Sequence, residues 1–318
     1  MTFANPAYLL LLLLLVPMII WYFLLKRKYE PCIKMATTEM YRKPVRTLRT
    51  SMIHLPFYLR MIIIALVVSC IGFYKYVYFI SLGYGFSIAA FGIAMPILFM
   101  DNLSIGTIIA SVLFVIYGCR LGGYLLIREI KSSAYRNTMK KEIKDGSTMK
   151  LTPKICIWVS CALLYALQVS PVFFRLQNGR KTSVVCIVGV VIMACRILLE
   201  SMADAQKSKA KAKNPNRFCD TGLYKIVRCP NYLGEVVFWT GVFVSSVDIL
   251  NGVWQWISAI IGYVCIVYIM FGGARRLEIR QNRNYGSDKE YQEYVKKTPI
   301  LIPLVPLYSV EKHKWLVG

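Results

Sequence analysis

Residues 217–239 run from a basic, polar loop into an apolar helix and carry one charge past the membrane boundary. Pro230 fixes φ and suits the first turn of a helix. Asn231, Glu235 and Trp239 then recur at i, i+4 and i+8, so they share one helical face. Glu235 falls a full turn inside an otherwise hydrophobic segment, where an ionisable side chain is costly and marks a functional site.

Two further groups could do chemistry beside it. Glu200 and Asp204 stand one turn apart at the end of another apolar run, and Lys207 and Lys211 continue that face. The carboxylates suit ribose or adenine donors, while these lysines with Arg217 and Arg228 suit phosphates. The plain alternative is a solvated helix end with internal ion pairs. Tyr117, Arg120 and Tyr124 follow at i, i+3 and i+7 on the last turns of a span. A phenol in an apolar cavity can donate to an enone oxygen, beside an arginine that cannot deprotonate. The same three residues equally suit an interfacial belt with a snorkelling arginine.

Other chemistries find no support in the sequence. No Gly-x-Gly-x-x-Gly element follows a strand, so a Rossmann domain is not available. His54 and His313 are the only histidines, which removes most histidine-based metal and triad chemistry, and no metal site is expected. The 10 cysteines are scattered without a Cys-x-x-Cys pair and read as small buried hydrophobes.

The elements that must position these residues are membrane helices. Hydrophobic residues make up 57% of the chain and its mean hydropathy is +0.51. Apolar runs at 8–25, 77–99, 103–127, 155–174, 184–199, 232–250 and 253–271 approach a spanning length, and a weaker one lies at 55–71. The expectation is an all-α polytopic bundle of about six to eight membrane segments. Long alternating strands are absent, so a β-barrel is not expected.

The net charge of +23 lies between the spans, at 26–49, 128–154, 207–228 and 275–314. Such loops mark the cytoplasmic side and attract anionic lipid heads; a nucleic-acid partner is not implied. No Lys or Arg precedes Lys26, so a secretory signal is not expected, and residues 8–25 read as an anchor. Three basic loops can all be cytoplasmic if six spans start inside near Lys75. That arrangement requires residues 55–71 not to cross, as their short length and Arg60 suggest.

Two resemblances sharpen this picture. Phe3-Ala4-Asn5-Pro6, the leucine anchor and Pro56-Phe57-Tyr58-Leu59-Arg60-Met61 resemble the N-terminal hairpin of bacterial aerotolerance-operon membrane proteins. From about Tyr76 to Pro306 the chain resembles the bacterial membrane family with the steroid 5α-reductase C-terminal domain. The matching motifs are Glu200-x-x-x-Asp204-x-Gln206-Lys207, Thr221-Gly222-Leu223-Tyr224, Arg228-x-Pro230-Asn231-Tyr232-x-Gly234-Glu235, and Tyr285-Gly286…Tyr291-x-x-Tyr294…Ile302-Pro303. Cys229 departs from the histidine that family usually carries. A fusion is implied, with an N-terminal hairpin over 1–73 and a reductase-like transmembrane domain over 74–318.

The resemblance implies an inner-membrane, NADPH-dependent reductase of a carbon–carbon double bond in a steroid- or lipid-like small molecule. It implies that Tyr117 polarises the substrate carbonyl and that Glu235 and Asn231 hold the nicotinamide carboxamide. Arg120, Tyr124, Glu200, Asp204, Lys211, Arg217, Arg228, Tyr232 and Trp239 are the remaining cofactor contacts it points to. Steroid reductases carry a glutamate on an earlier span that shares the carbonyl with the tyrosine. No carboxylate occurs here between Leu55 and Met100, which puts a 3-ketosteroid in doubt. An isoprenylcysteine-type methyltransferase using S-adenosylmethionine shares part of the pattern, and a non-enzymatic membrane assembly protein is the third reading.

Overall fold

The computed structural model describes residues 55–131 and 149–316, and all its regular elements are helical. The anchor at 8–25, the loop at 26–49 and the middle of the loop at 128–154 lie outside the described residues. The chain divides into two units, residues 1–53 and residues 54–318, and the second holds all the described helices.

Seven helices run up and down this unit: α1 Leu55–Ser69, α3 Leu82–Leu98, α4 Ile105–Lys131, α5 Leu151–Gln177, α6 Val184–Lys213, α7 Pro230–Val244 and α8 Gly252–Tyr285. A short α2 (Val77–Ile80) leads into α3, and α9 (Lys289–Lys297) lies outside the bundle before the C-terminal segment. Five segments are long and apolar enough to cross a membrane: Val77–Leu98, Ile105–Arg128, Leu151–Gln177, Val184–Lys213 and Val253–Tyr285. With the shorter apolar α1 and α7 beside them, the chain is a multi-pass membrane protein built as a helical bundle.

Local chemistry sets the helix boundaries. Pro230 occupies the first turn of α7, where its missing N–H costs nothing. The Ser183 side chain accepts from the Cys186 N–H and caps α6, and Asp288 caps α9 by accepting from Glu290.

At one end Gly106 N–H donates to Thr182 and the Asn178 amide donates to the Ile249 carbonyl, gathering the links between spans. The opposite, basic end holds the C-terminal turns of α4, α6 and α8, the start of α7, α9 and the C-terminal segment. There Arg228 N–H and Cys229 N–H donate to the carbonyls of Pro299 and Ile300, tying that segment to the start of α7.

Lipid offers little hydrophobic gain for bringing two apolar helices together, so close packing through small residues holds them. A Cβ on Gly118 would collide with the Gly85 carbonyl oxygen, and one on Gly241 would fall 2.7 Å from that of Gly189. The first pair joins α3 to α4 beside Tyr84 and Tyr117; the second joins α6 to α7 below Arg196 and Glu235. Between them the main core fills with Phe91, Phe114, Phe173, Phe174, Phe238 and Trp239.

Helix α1 packs against the bundle. Tyr58 packs on Phe173 and Phe174, while Trp158 Nε1 donates to the Leu66 carbonyl, so α1 runs antiparallel to α5 along the bundle. Met61 and Ala65 are buried in the main core. This segment runs along α5, a partner for its apolar face that sequence periodicity alone does not show.

Candidate functional site

Glu235 projects from α7 into the bundle and meets groups from two other helices. Its Oε2 lies 2.5 Å from the Tyr117 hydroxyl on α4, and its Oε1 accepts from Arg196 Nη2 on α6 at 2.6 Å. The same Arg196 nitrogen stands 2.6 Å from Glu200 Oε2. Arg120 on α4 pairs with Glu200 through Nη1 and with Asp204 Oδ2 through Nη2 at 3.0 Å. Asp204 Oδ1 accepts from the Asn231 amide at 3.0 Å, which returns to α7.

The chain of contacts continues inward from Tyr117. Its hydroxyl is 2.7 Å from that of Tyr84 on α3, which also accepts from Trp239 Nε1 at 2.8 Å. One connected path thus leads from Asn231 and Asp204 near the basic end to Tyr84 and Trp239 in the apolar core. Acid and base alternate along it: Glu235, Arg196, Glu200, Arg120, Asp204. Charges this deep persist only because each is paired.

Packing fixes Tyr117 more tightly than an interfacial belt residue. It is 0% exposed, its ring stacks on Phe238 at 4.3 Å, and the Arg196 guanidinium lies 4.4 Å from its centroid.

The structure brings together seven of the residues singled out by sequence: Tyr117, Arg120, Glu200, Asp204, Asn231, Glu235 and Trp239. Four others stand apart. Arg228 is fully buried against Glu278 at 2.7 Å and donates to the Tyr308 carbonyl, so it is committed to holding the C-terminal segment on α8. Lys211 holds the carbonyls of Pro215 and Arg217 and the Tyr285 hydroxyl. Arg217 sits on the surface, where its hydrogen bond to Asp220 and the charges of Asp220 and Glu290 hold its guanidinium above the usual arginine range. Tyr124 is exposed and lies under the Arg128 guanidinium at 5.3 Å, outside the chain of contacts. Arg228 and Arg217 thus pair with carboxylates inside the chain, while Lys211 donates to neutral acceptors that leave its charge uncompensated.

Further cationic side chains stand near Tyr232. Its ring rests on Gly273, and Arg276, Arg280 and Arg128 lie close enough to act electrostatically on its phenol. Arg280 is also close enough to repel Lys207, which feels the Asp204 carboxylate. Lys207, Arg276 and Arg280 are exposed and form no ion pair among the described residues.

Sequence reasoning missed Arg196 and Tyr84. Arg196 carried a readable signal, an arginine inside an apolar run with Glu200 four residues on. Tyr84 carried none, since a tyrosine in an apolar helix is ordinary packing.

Several matched motifs are structural. The Leu223 N–H donates to Gln206 Oε1, joining the 221–224 turn to α6, and Tyr294 donates to the Tyr224 carbonyl. Tyr285, Tyr291 and Tyr294 enclose Phe218. Burial pushes the Cys229 thiol up to about 12, so it stays protonated and unreactive.

Residues 63–298 match a family described as proteins of unknown function (DUF1295). The chain belongs to that family. Residues 1–71 match the aerotolerance regulator N-terminal family, so the two matches overlap on α1. No curated protein and no solved structure matches the chain. Within this DUF1295 chain, the acid–base path lies wholly inside the matched residues.

Proposed function

We propose that this chain is a reductase of the bacterial inner membrane that uses NADPH to saturate a carbon–carbon double bond in a lipid-like enone. The observation that carries the reading is the enclosed acid–base path from Asn231 to Tyr84. It connects polar groups near the basic end with buried tyrosines in the apolar core. The resemblance to the steroid 5α-reductase domain supports the same class, and its motif residues Glu200, Asp204, Asn231 and Glu235 all fall on this path.

The polar residues at the basic end of the path suit the groups of a dinucleotide. Asn231 Oδ1 is a buried acceptor with no partner among the described residues and suits an amide or hydroxyl donor. Asp204, with a side chain 37% exposed, offers a second acceptor beside it. Lys207, Arg276 and Arg280 supply uncommitted positive charge for phosphates. Glu235 fits a carboxamide less well than expected, because both its oxygens are engaged by Tyr117 and Arg196. When bound, the reduced nicotinamide supplies a hydride; this chain's residues orient it, exclude water and provide the proton.

The basic end faces the cytoplasm in this reading, following the excess of Lys and Arg there. Membrane lipids contact the outward apolar faces, where Ile105, Val184 and Val253 are exposed. Purified protein in lipid discs, offered NADPH and a panel of enone lipids, is expected to consume NADPH with at least one of them. Methyl transfer from S-adenosylmethionine to a prenylated thiol by the same preparation contradicts the reading.

A further inference from the structure

We propose that the C-terminal segment, residues 300–316, lies in the bilayer interface at the basic end. Leu304 and Trp315 reach into lipid there, while Lys312 and Lys314 stand among anionic headgroups. The proposal rests on the membrane bundle and not on the reductase reading.

The segment returns along a spanning helix. Val310 N–H donates to Glu278 Oε2, Arg275 Nε donates to the Glu311 carbonyl, and the Tyr268 hydroxyl donates to the Trp315 carbonyl at 2.5 Å. As the chain advances from 310 to 315, its partners on α8 fall from 278 to 268, so the two run antiparallel. Ten helical residues cover about 15 Å, and the chain descends by that distance toward the middle of the bundle. Tyr268 belongs to the apolar part of α8, ahead of its first charged residue, Arg275. Trp315 therefore stands beside the spanning stretch rather than above it.

Both faces of the segment are apolar. Inward, Ile300, Leu301, Val310 and Leu316 are buried in a cluster that Met270 and Phe271 of α8 complete. Outward, Ile302, Val305 and Tyr308 are exposed, Trp315 is 65% exposed and Leu304 is fully so. A contiguous apolar surface rimmed by cations marks a membrane or protein contact rather than a face left in water.

Leu304 adds an observation from the backbone. Among the described residues it is the one non-glycine with positive φ, at 65°, a region that is costly for a branched side chain. Pro303 precedes it and Pro306 follows two residues on, so the turn is stiff and holds the side chain outward. Full exposure of a strained leucine has no compensation in water; entry into acyl chains supplies one.

Charge and continuity select lipid as the occupant. Lys312 and Lys314 are exposed and form no ion pair among the described residues. Arg275 donates to the backbone carbonyls of Glu311 and Leu316, neutral acceptors that leave its charge available. Basic side chains at this level attract anionic headgroups. Trp315 stacks on Tyr268 with ring centroids 6.0 Å apart, a pairing of the two side chains that concentrate at membrane interfaces. Val264, one turn before Tyr268 on the same helical face, is also exposed, so the surface beside Trp315 runs on into the lipid-facing side of α8.

Fluorescence quenching of the full chain in lipid discs tests the placement. The chain has 6 tryptophans, so the Trp315 signal is the difference between wild type and Trp315→Phe, which keeps an aromatic ring on Tyr268. That signal is expected to be quenched by phospholipid brominated on the acyl chain near the headgroup and protected from aqueous acrylamide. A tryptophan introduced by Leu304→Trp should behave in the same way. Brominated anionic lipid, mixed in at low proportion, should quench Trp315 more than the same proportion of brominated zwitterionic lipid. Lys312→Gln with Lys314→Gln should abolish that preference. Quenching by acrylamide without quenching by brominated lipid places the segment in water and overturns the proposal. Protection from both quenchers, as a second copy of the chain covering the patch would give, overturns it equally. Equal quenching by the two lipid classes in wild type overturns the headgroup contact.

Discussion

Arg196 Nη2 lies 2.6 Å from Glu235 Oε1 and 2.6 Å from Glu200 Oε2, so one guanidinium nitrogen joins α6 to α7 through two carboxylates. Arg196 is 0% exposed, and Glu200 sits one turn along its own helix. This bond is the pivot of the path: removing it separates the tyrosines in the core from Glu200, Asp204 and Asn231.

Replacing Arg196 with methionine keeps much of the volume but leaves Glu235 and Glu200 without their shared cation. Equilibrium unfolding in mild detergent should show a loss of about 3–5 kcal/mol, the usual cost of breaking a buried pair from one side. Adding Glu235→Gln to that variant should recover part of the loss, because it removes one of the stranded charges. Additive losses in the double variant contradict the coupling.

Binding of a phosphate-bearing nucleotide should separate two sets of arginines. Arg276→Glu and Arg280→Glu should each weaken NADPH binding by about 1.5–3 kcal/mol, the value of a charge-assisted contact. Arg217→Glu should leave affinity unchanged, while Arg228→Glu should unfold the C-terminal segment by stranding Glu278. Titration calorimetry beside limited proteolysis distinguishes the two effects.

The N-terminal boundary can be located by truncation. A chain beginning near residue 54 retains α1 and should insert and resist protease. One beginning at residue 74 loses Tyr58, Met61 and Ala65 from the main core and should be markedly less stable. Equal stability of the two contradicts the place of α1 in the bundle.

At the far end of the bundle, Arg175 is 1% exposed and pairs with Asp248. Burial alone pushes the Asp248 carboxyl up, but hydrogen bonds from Ser183 and Arg175 outweigh it and hold the group below the usual carboxylate range. A depressed folded value means the stabilisation is present above the ordinary carboxylate range and lost as pH falls through the folded value. Asp248→Asn should therefore cost about 1–3 kcal/mol at neutral pH. The gap from wild type should close as the pH falls below about 4. A pH-independent gap contradicts the linkage.

The residues most legible in the sequence were those whose charge conflicts with an apolar setting. Glu235 stood out inside α7 for that reason, and Glu200 and Asp204 did so by their one-turn spacing. The partner of Arg228 was not legible: it lies near Pro230 and Asn231 in sequence, while its side chain pairs with Glu278 on a different helix. Tyr84 was illegible: its role comes from the glycine contact between α3 and α4, and no property of its own segment announces a partner on the next helix. The cationic cluster at Tyr232 was hidden similarly, since Arg128, Lys207, Arg276 and Arg280 come from three helices. The course of α1 depends on its packing against α5, which its length and Arg60 do not reveal.

On this account Asn231, Asp204 and the cations near Tyr232 bind a reduced nicotinamide dinucleotide. Mass spectrometry of the nucleotide that co-purifies with the full chain in mild detergent tests it most directly. NADP(H) at near one per chain, lost in an Arg276→Glu/Arg280→Glu variant that remains folded, is the predicted result. Recovery of S-adenosylmethionine in its place, or NADP(H) retained undiminished by that variant, contradicts the account.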